Sequence, residues 1–246
     1  MTSKEAALQR LKELKGKPLK VKLEHILTYY WFPIVAIAGL LIFTVSYSVH
    51  VITLKETVLN VTCVNSIVED DVGAQYARSF AGYLGIDTEK YRVEISADMM
   101  TIDEGNMSSY DSAEVLITLV AAQTIDVLVS DEESMFQRFY QDILADLSKM
   151  LTPQQQAMYQ DSFLYLDNAV LQEVKNLKDL TNIPSFPDPA KPEQMQQPVP
   201  VAIRIPADAE FARLFFPDRV GEVVIGFAVN TKNLSNALNF LDYVME

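Results

Sequence analysis

From Ile26 to Leu54 the chain carries no Asp, Glu, Lys or Arg, and a single histidine, His50. A bilayer's hydrocarbon core takes about 20 helical residues, so this run of 29 is long enough to cross one. Its apolar centre reads WFPIVAIAGLLIFTVSYSV, from Trp31 to Val49. Tyr29, Tyr30 and Trp31 stand at one end and Tyr47 near the other, as interfacial aromatic belts do. Pro33 falls close to the expected helix start, where a missing N–H costs little. A helix buried in a globular core would show a polar face, and this run has none. A cleaved signal peptide would have a shorter lead than Met1 to His25 and a small-residue cleavage site after it. The sequence therefore predicts an uncleaved transmembrane helix over 26–54.

Charge gives the orientation. Residues 1–25 hold seven Lys and Arg against three Glu, while the rest of the chain holds 13 basic and 30 acidic residues. Positive charge stays on the cytoplasmic side, so the expected topology is a basic cytoplasmic segment (1–25), the span (26–54) and an extracytoplasmic domain (55–246) in the cell membrane. Leu8, Leu11 and Leu14 give the basic segment an amphipathic pattern suited to anionic headgroups, although a plain topology signal explains its charge equally well. The net charge of −13 argues against nucleic acid as a partner.

The chain that follows the span, 55–246, suffices for one domain. ETVLNVTCVNS (Glu56–Ser66) and YRVEISAD (Tyr91–Asp98) read as strands, with a helix between them on Ala77, Phe80, Ala81 and Leu84 that stops at Gly85. Asp98 to Asp111 reads as a polar loop, followed by a helix on Ala113, Leu116, Leu119 and Val120. TIDVLVS (Thr124–Ser130) suits a central strand buried on both faces. The stripe Phe136, Phe139, Tyr140, Ile143, Leu144, Leu147 and Leu151 predicts one long helix after it, and Thr152-Pro153-Gln154-Gln155 starts another with a capping box. The alternation predicts a mainly parallel sheet in a three-layer α/β domain. Residues 181–200 hold six prolines and read as an extended connector. Val199–Ile205 and Glu222–Asn230 then read as strands, and Leu234, Ala237, Leu238 and Leu241 as the buried face of a closing helix.

These segments resemble one lobe of the type 2 periplasmic binding proteins, the extracellular solute-binding proteins of ABC importers. The matching pieces are Ala121-Ala122 before Asp126-Val127, Asp146-Leu147, Ile225-Gly226 with Asn230, and Ala237, Phe240-Leu241 and Tyr243. The lead KGKPLKVKLEHILTYYWFPIV is similar to the start of membrane-anchored proteins of unknown function from Gram-positive bacteria. The resemblance implies a bacterial protein whose second lobe is absent or vestigial, because residues 151–199 leave too little chain for it. It implies a binding role, with another envelope protein or a permease as partner and the question of a small-molecule ligand left open.

Catalytic constellations are scarce. Neither histidine lies in 55–246, and Cys63, between Val61 and Val64 in a predicted strand, reads as a buried inert thiol. One cysteine and eight glycines exclude a disulfide within the chain, a multi-cysteine zinc site and a phosphate-loop string. No cofactor or metal is expected. The loop DMMTIDEGNMSSYD offers oxygens at Asp98, Asp103, Glu104, Asn106 and Asp111, but without the spacing of an EF-hand. In open parallel sheets ligands bind beyond the carboxyl ends of the strands, which makes Asn65, Ser66, Asp98, Ser130, Asp131 and Asn230 the candidate surface, with Ser130 and Asp131 also read as helix caps. The expected function is a non-enzymatic interaction or ligand-sensing module on a membrane anchor. The alternatives are the solute-binding component of an importer and, third, an envelope hydrolase.

Overall fold

The computed structural model describes residues 18–53, 55–66, 68, 70–99, 107–138, 143–177, 184–217 and 221–246. The chain divides into two units, Met1–Leu54 and Lys55–Glu246.

The described part of the first unit is dominated by the helix α1 (Leu19–Thr53), 35 residues long. At 1.5 Å per residue it measures about 52 Å. It starts earlier than the sequence suggested, so Pro33 lies inside the helix and not near its start. There it removes the bond to the carbonyl four residues back. Every side chain from Trp31 to Tyr47 is exposed. The Thr28 and Thr44 hydroxyls donate to the carbonyls of Glu24 and Leu40, each at 2.7 Å, which spares them a need for water. Among the described residues alone, no helix is long and apolar enough to cross a membrane. The described side chains of the apolar run stop at Tyr47, whereas the sequence continues without charge to Leu54, so the question of spanning rests on the sequence.

The second unit is built on one six-stranded sheet in the order β2-β1-β3-β6-β5-β4. The strands are β1 (Glu56–Val64), β2 (Tyr91–Met99), β3 (Val127–Asp131), β4 (Phe163–Asp167), β5 (Pro198–Arg204) and β6 (Val223–Phe227). Helices α2 (Asp70–Leu84) and α3 (Met107–Ala121) make the crossovers from β1 to β2 and from β2 to β3. Gly85, at φ +66°, ends α2 by letting the Ile86 N–H reach the Ala81 carbonyl at 2.8 Å, as the sequence predicts.

Four of the six strands share a direction, yet only the two pairings of β1 are parallel. The last strand, β6, inserts antiparallel between β3 and β5, and β4 joins the far edge antiparallel to β5. The segment that follows Leu151 thus extends the same sheet, and among the described residues it builds no second one. Three readings change with this. The long helix over 131–151 is broken: α4 (Glu132–Arg138) is short, residues 139–142 lie outside the described residues, and Leu144 bridges Ala228 beside β6. Backbone pairing there outweighs the helical periodicity, and Asp146 restarts the helix as the cap of α5 (Leu147–Met150). Next, α3 begins at Met107, inside the expected loop. Finally, β4 and α7 (Asn168–Asn176) stand in a stretch given no strand from the sequence. The capping box of α6 (Pro153–Tyr159) is formed as expected, with Thr152 and Gln155 bonding reciprocally.

Apolar side chains cover both faces of the sheet. On one face Tyr76 and Phe80 of α2, Phe211 and Phe215 of α8 (Glu210–Phe215) and Phe240 of α9 (Leu234–Met245) form an aromatic cluster over Val61, Val127 and Ile225. The Phe211 and Phe215 rings stack at 4.4 Å, and Phe80 meets Phe240 edge-on at 5.2 Å. On the other face Leu116 and Val120 of α3 cover Val64, Leu128 and Ala202. Cys63 is fully buried, and burial pushes its thiol pKa up, which suppresses the thiolate.

Candidate functional site

In the order β2-β1-β3 the chain turns one way from β1 to β2 and the other way to β3, so the crossovers part between β1 and β3. Ligands favour that switch point, at the carboxyl ends of the strands. The structure puts a polar mouth there. Asn65, just past β1, adopts φ +56° and turns its side-chain amide toward β3. Its Nδ2 donates to Ser134 Oγ at 2.7 Å and to Asp131 Oδ2 at 3.3 Å. Asp131 also accepts the Ser134 N–H at 2.8 Å, so the sequence reading of Asp131 as a helix cap holds for α4. Ser130 is fully buried and its hydroxyl donates to Asp131 at 3.4 Å, so it supports the cap without being one. Ser66 is buried as well and donates to the Phe215 carbonyl at 2.5 Å, which ties β1 to α8.

The mouth also holds charges that sequence reasoning missed. Arg204, the last residue of β5, lies level with Ser130 through β6 and pairs with both Glu132 and Glu222. The signal for it was a lone cation ending the apolar run VPVAIRI. Ser134 could have been found three residues after Asp131, where a cap's N–H partner falls.

Of the six candidates, only Asn230 is shown to stand apart. Asp98 lies in β2, and its side chain is outside the described atoms; Asp103, Glu104 and Asn106 lie outside the described residues. Asn230 is at the opposite end of the sheet. Because β6 runs antiparallel to β3, pairing Phe227 with Val127, the carboxyl end of β6 lies beside the amino end of β3. Asn230 Nδ2 there donates to the Val120 carbonyl at 2.7 Å, and its buried Oδ1 has no partner among the described residues.

That opposite end carries a denser network. Asp126, only 3% exposed, accepts the Asn60 N–H at 2.9 Å, the Thr231 hydroxyl at 2.5 Å and Asn233 Nδ2 at 3.0 Å. Asp167, 2% exposed, accepts the N–H groups of Gln196, Gln197 and Ala169 at 2.8, 3.0 and 3.0 Å. Burial alone would raise the Asp167 pKa, but these donors hold it below the ordinary carboxylate value. Both carboxylates tie chain segments together, which is a structural role.

A third feature is an open groove of about 770 Å³ between α6 and α9, lined by Gln155, Met158, Tyr159, Leu238 and Asp242. Asp242 in its lining already receives the Tyr159 hydroxyl at 2.7 Å. Burial and then that carboxylate push the Tyr159 pKa up, so the phenol stays a donor. Among the described residues no group of three or more His, Cys, Asp or Glu is placed to hold a metal ion.

No family model and no curated protein matches the chain. Among solved structures, that of the periplasmic binding protein P5PA superposes with a TM-score of 0.33 at 12% identity, covering 78% of this chain and 80% of that one. Agreement at that level does not establish a shared fold.

Proposed function

We propose that the chain is a single-pass membrane protein, N-terminus in the cytoplasm, whose unit Lys55–Glu246 works outside the membrane as a non-enzymatic interaction or ligand-sensing module. One observation carries the anchoring: a continuous helix bears a charge-free run whose apolar side chains from Trp31 to Tyr47 are exposed around its whole circumference. Such a surface is stable in lipid and costly in water. The basic residues before it and the acidic excess after it set the orientation. A non-enzymatic role is supported by the mouth: its carboxylates Asp131, Glu132 and Glu222 are engaged by Asn65, Ser134 and Arg204, and neither histidine belongs to the outer unit. Alkaline extraction of membranes and reporter fusions test the anchoring. The protein is expected in the membrane pellet, with a reporter after Glu246 outside and one before Thr2 inside. Extraction into the supernatant, or a cytoplasmic C-terminal reporter, overturns the reading.

The importer reading is favoured by the place of the polar mouth at the β1–β3 switch point, where a solute's polar groups could exchange with the Asn65 amide and the Asp131 carboxylate. A one-sided surface leaves the ligand's far face in water, so tight capture requires a second protein, such as a permease, to close over it. Calorimetry on the full chain in detergent with amino acids, sugars and peptides is expected to show no submicromolar ligand. A one-to-one submicromolar ligand would promote the importer reading above the first.

A further inference from the structure

The two edges of the sheet are finished differently. At the β4 edge the proline-rich segment lies alongside: the Tyr165 N–H donates to the Pro189 carbonyl at 2.9 Å. Pro187, Pro189 and Pro192 have no N–H to offer a newcomer. The β2 edge has no such cover among the described residues. It is nine residues long, against a usual five or six, and contains neither proline nor lysine. The Lys90 carbonyl accepts the Glu56 N–H, so by the alternation of a parallel ladder Val93 and Ile95 turn their main-chain groups away from β1.

We propose that this edge pairs with a second copy of the chain, antiparallel, about a two-fold axis through Val93. That register sets Arg92 opposite Glu94 of the second copy and Glu94 opposite its Arg92, and sets Tyr91 opposite Ile95 on the other face. Opposite charges, and an aromatic beside a β-branched residue, are favourable cross-strand pairs. The N–H groups of Val93 and Ile95 then donate to the carbonyls of Val93 and Tyr91 across the axis. The remaining bond of the register, from the Tyr91 N–H to the Ile95 carbonyl, is the one whose two members are already occupied. The Tyr91 N–H bonds to the Asp87 carbonyl at 2.9 Å, and the Ile95 carbonyl lies beneath Gly73 of α2, where an added Cβ would come within 2.7 Å. The Arg92–Glu94 pair at 3.0 Å within one copy becomes part of a four-charge alternation across the axis.

Sedimentation equilibrium of the full chain in detergent tests the proposal. The wild type is expected to be a dimer. Glu94→Arg is expected to weaken dimerisation by about tenfold or more, since arginines then face each other. The double exchange Arg92→Glu with Glu94→Arg is expected to restore it, and far-UV circular dichroism checks that each variant folds. In parallel, chains bearing Arg92→Cys and Glu94→Cys are mixed under mild oxidation; Cys63 is buried and stays out of the reaction. A mixed disulfide stronger than that from a Met158→Cys control supports the register. A monomeric wild type, a dimer unchanged by Glu94→Arg, or a mixed disulfide no stronger than the control overturns it.

Discussion

The two ends of the sheet use the same chemistry for different purposes. At the amino end of β3, Asp126 and Asp167 are buried, and both take main-chain N–H groups among their donors. At the carboxyl end, Asp131 is half-buried, and apart from its cap to Ser134 it contacts side chains that can turn away. A carboxylate locked to backbone cannot release its partners without moving the chain. One held by Asn65 and Ser130 can exchange them for a ligand at the cost of a rotamer change. The first end is therefore tied to backbone, and the second is held mainly by side chains.

Neighbouring positions give the sharpest test of that contrast. Val127 is fully buried one residue after Asp126, within the hydrophobic cluster on one face of the sheet. Val127→Asp is expected to unfold the unit Lys55–Glu246, at about 4 kcal/mol or more, because a carboxylate is placed in the apolar core. Near-normal urea denaturation of that variant would mean that β3 is not central. Asp126→Ala should cost about 3 kcal/mol, since it strands the Asn60 N–H, the Thr231 hydroxyl and the Asn233 amide. A loss under about 1 kcal/mol, the net worth of a single ordinary hydrogen bond, would deny the fixed end its main tie.

Asp167→Asn should cost about 1–2 kcal/mol at neutral pH, because a neutral amide cannot accept the three N–H donors as a carboxylate does. The pH dependence follows from the lowered pKa. The folded carboxyl titrates below its unfolded value, so its stabilisation is complete above the ordinary carboxylate pKa of about 3.9 and is lost as pH falls through the lower folded value. The gap between wild type and variant should therefore narrow below about pH 4; a gap that stays constant down to about pH 2 would detach the effect from ionisation. The smallest change belongs to the mouth. Asp131→Ala removes the cap of α4 and should cost about 1 kcal/mol. A loss as large as that of Asp126→Ala would make both ends structural and leave the candidate site without support.

The parallel half of the sheet was legible in the sequence because its signals are local. Gly85 stops α2, Thr152 and Gln155 box α6, and Val127 to Val129 form an apolar run between turns. The direction of β6 was not legible. VVIGF is buried on both faces, and that pattern reads the same with either neighbour direction. Its antiparallel entry follows from its pairing with β5, which has Arg204 beside Val224. That reversal carries Asn230 away from the mouth. The stripe from Phe136 to Leu151 failed for a related reason. Ile143 to Ala145 find a better partner in the end of β6, at Phe227 to Val229, which is remote in sequence and invisible to a helical window.

The place of β6 also sets a timetable. A chain synthesised from its N-terminus makes β1, β2 and β3 first, and these can pair with one another before the rest of the sheet exists. The strand that joins them to β5 and β4 is the last of the six in sequence, and two of the donors that tie down Asp126 come from Thr231 and Asn233 beyond it. Until β6 emerges, the inner edge of β3 has no strand partner and the β4–β5 pair has nothing to dock on. Closure of the sheet thus waits on residues made long after β3. A nascent sheet has to be kept from pairing elsewhere until that strand arrives.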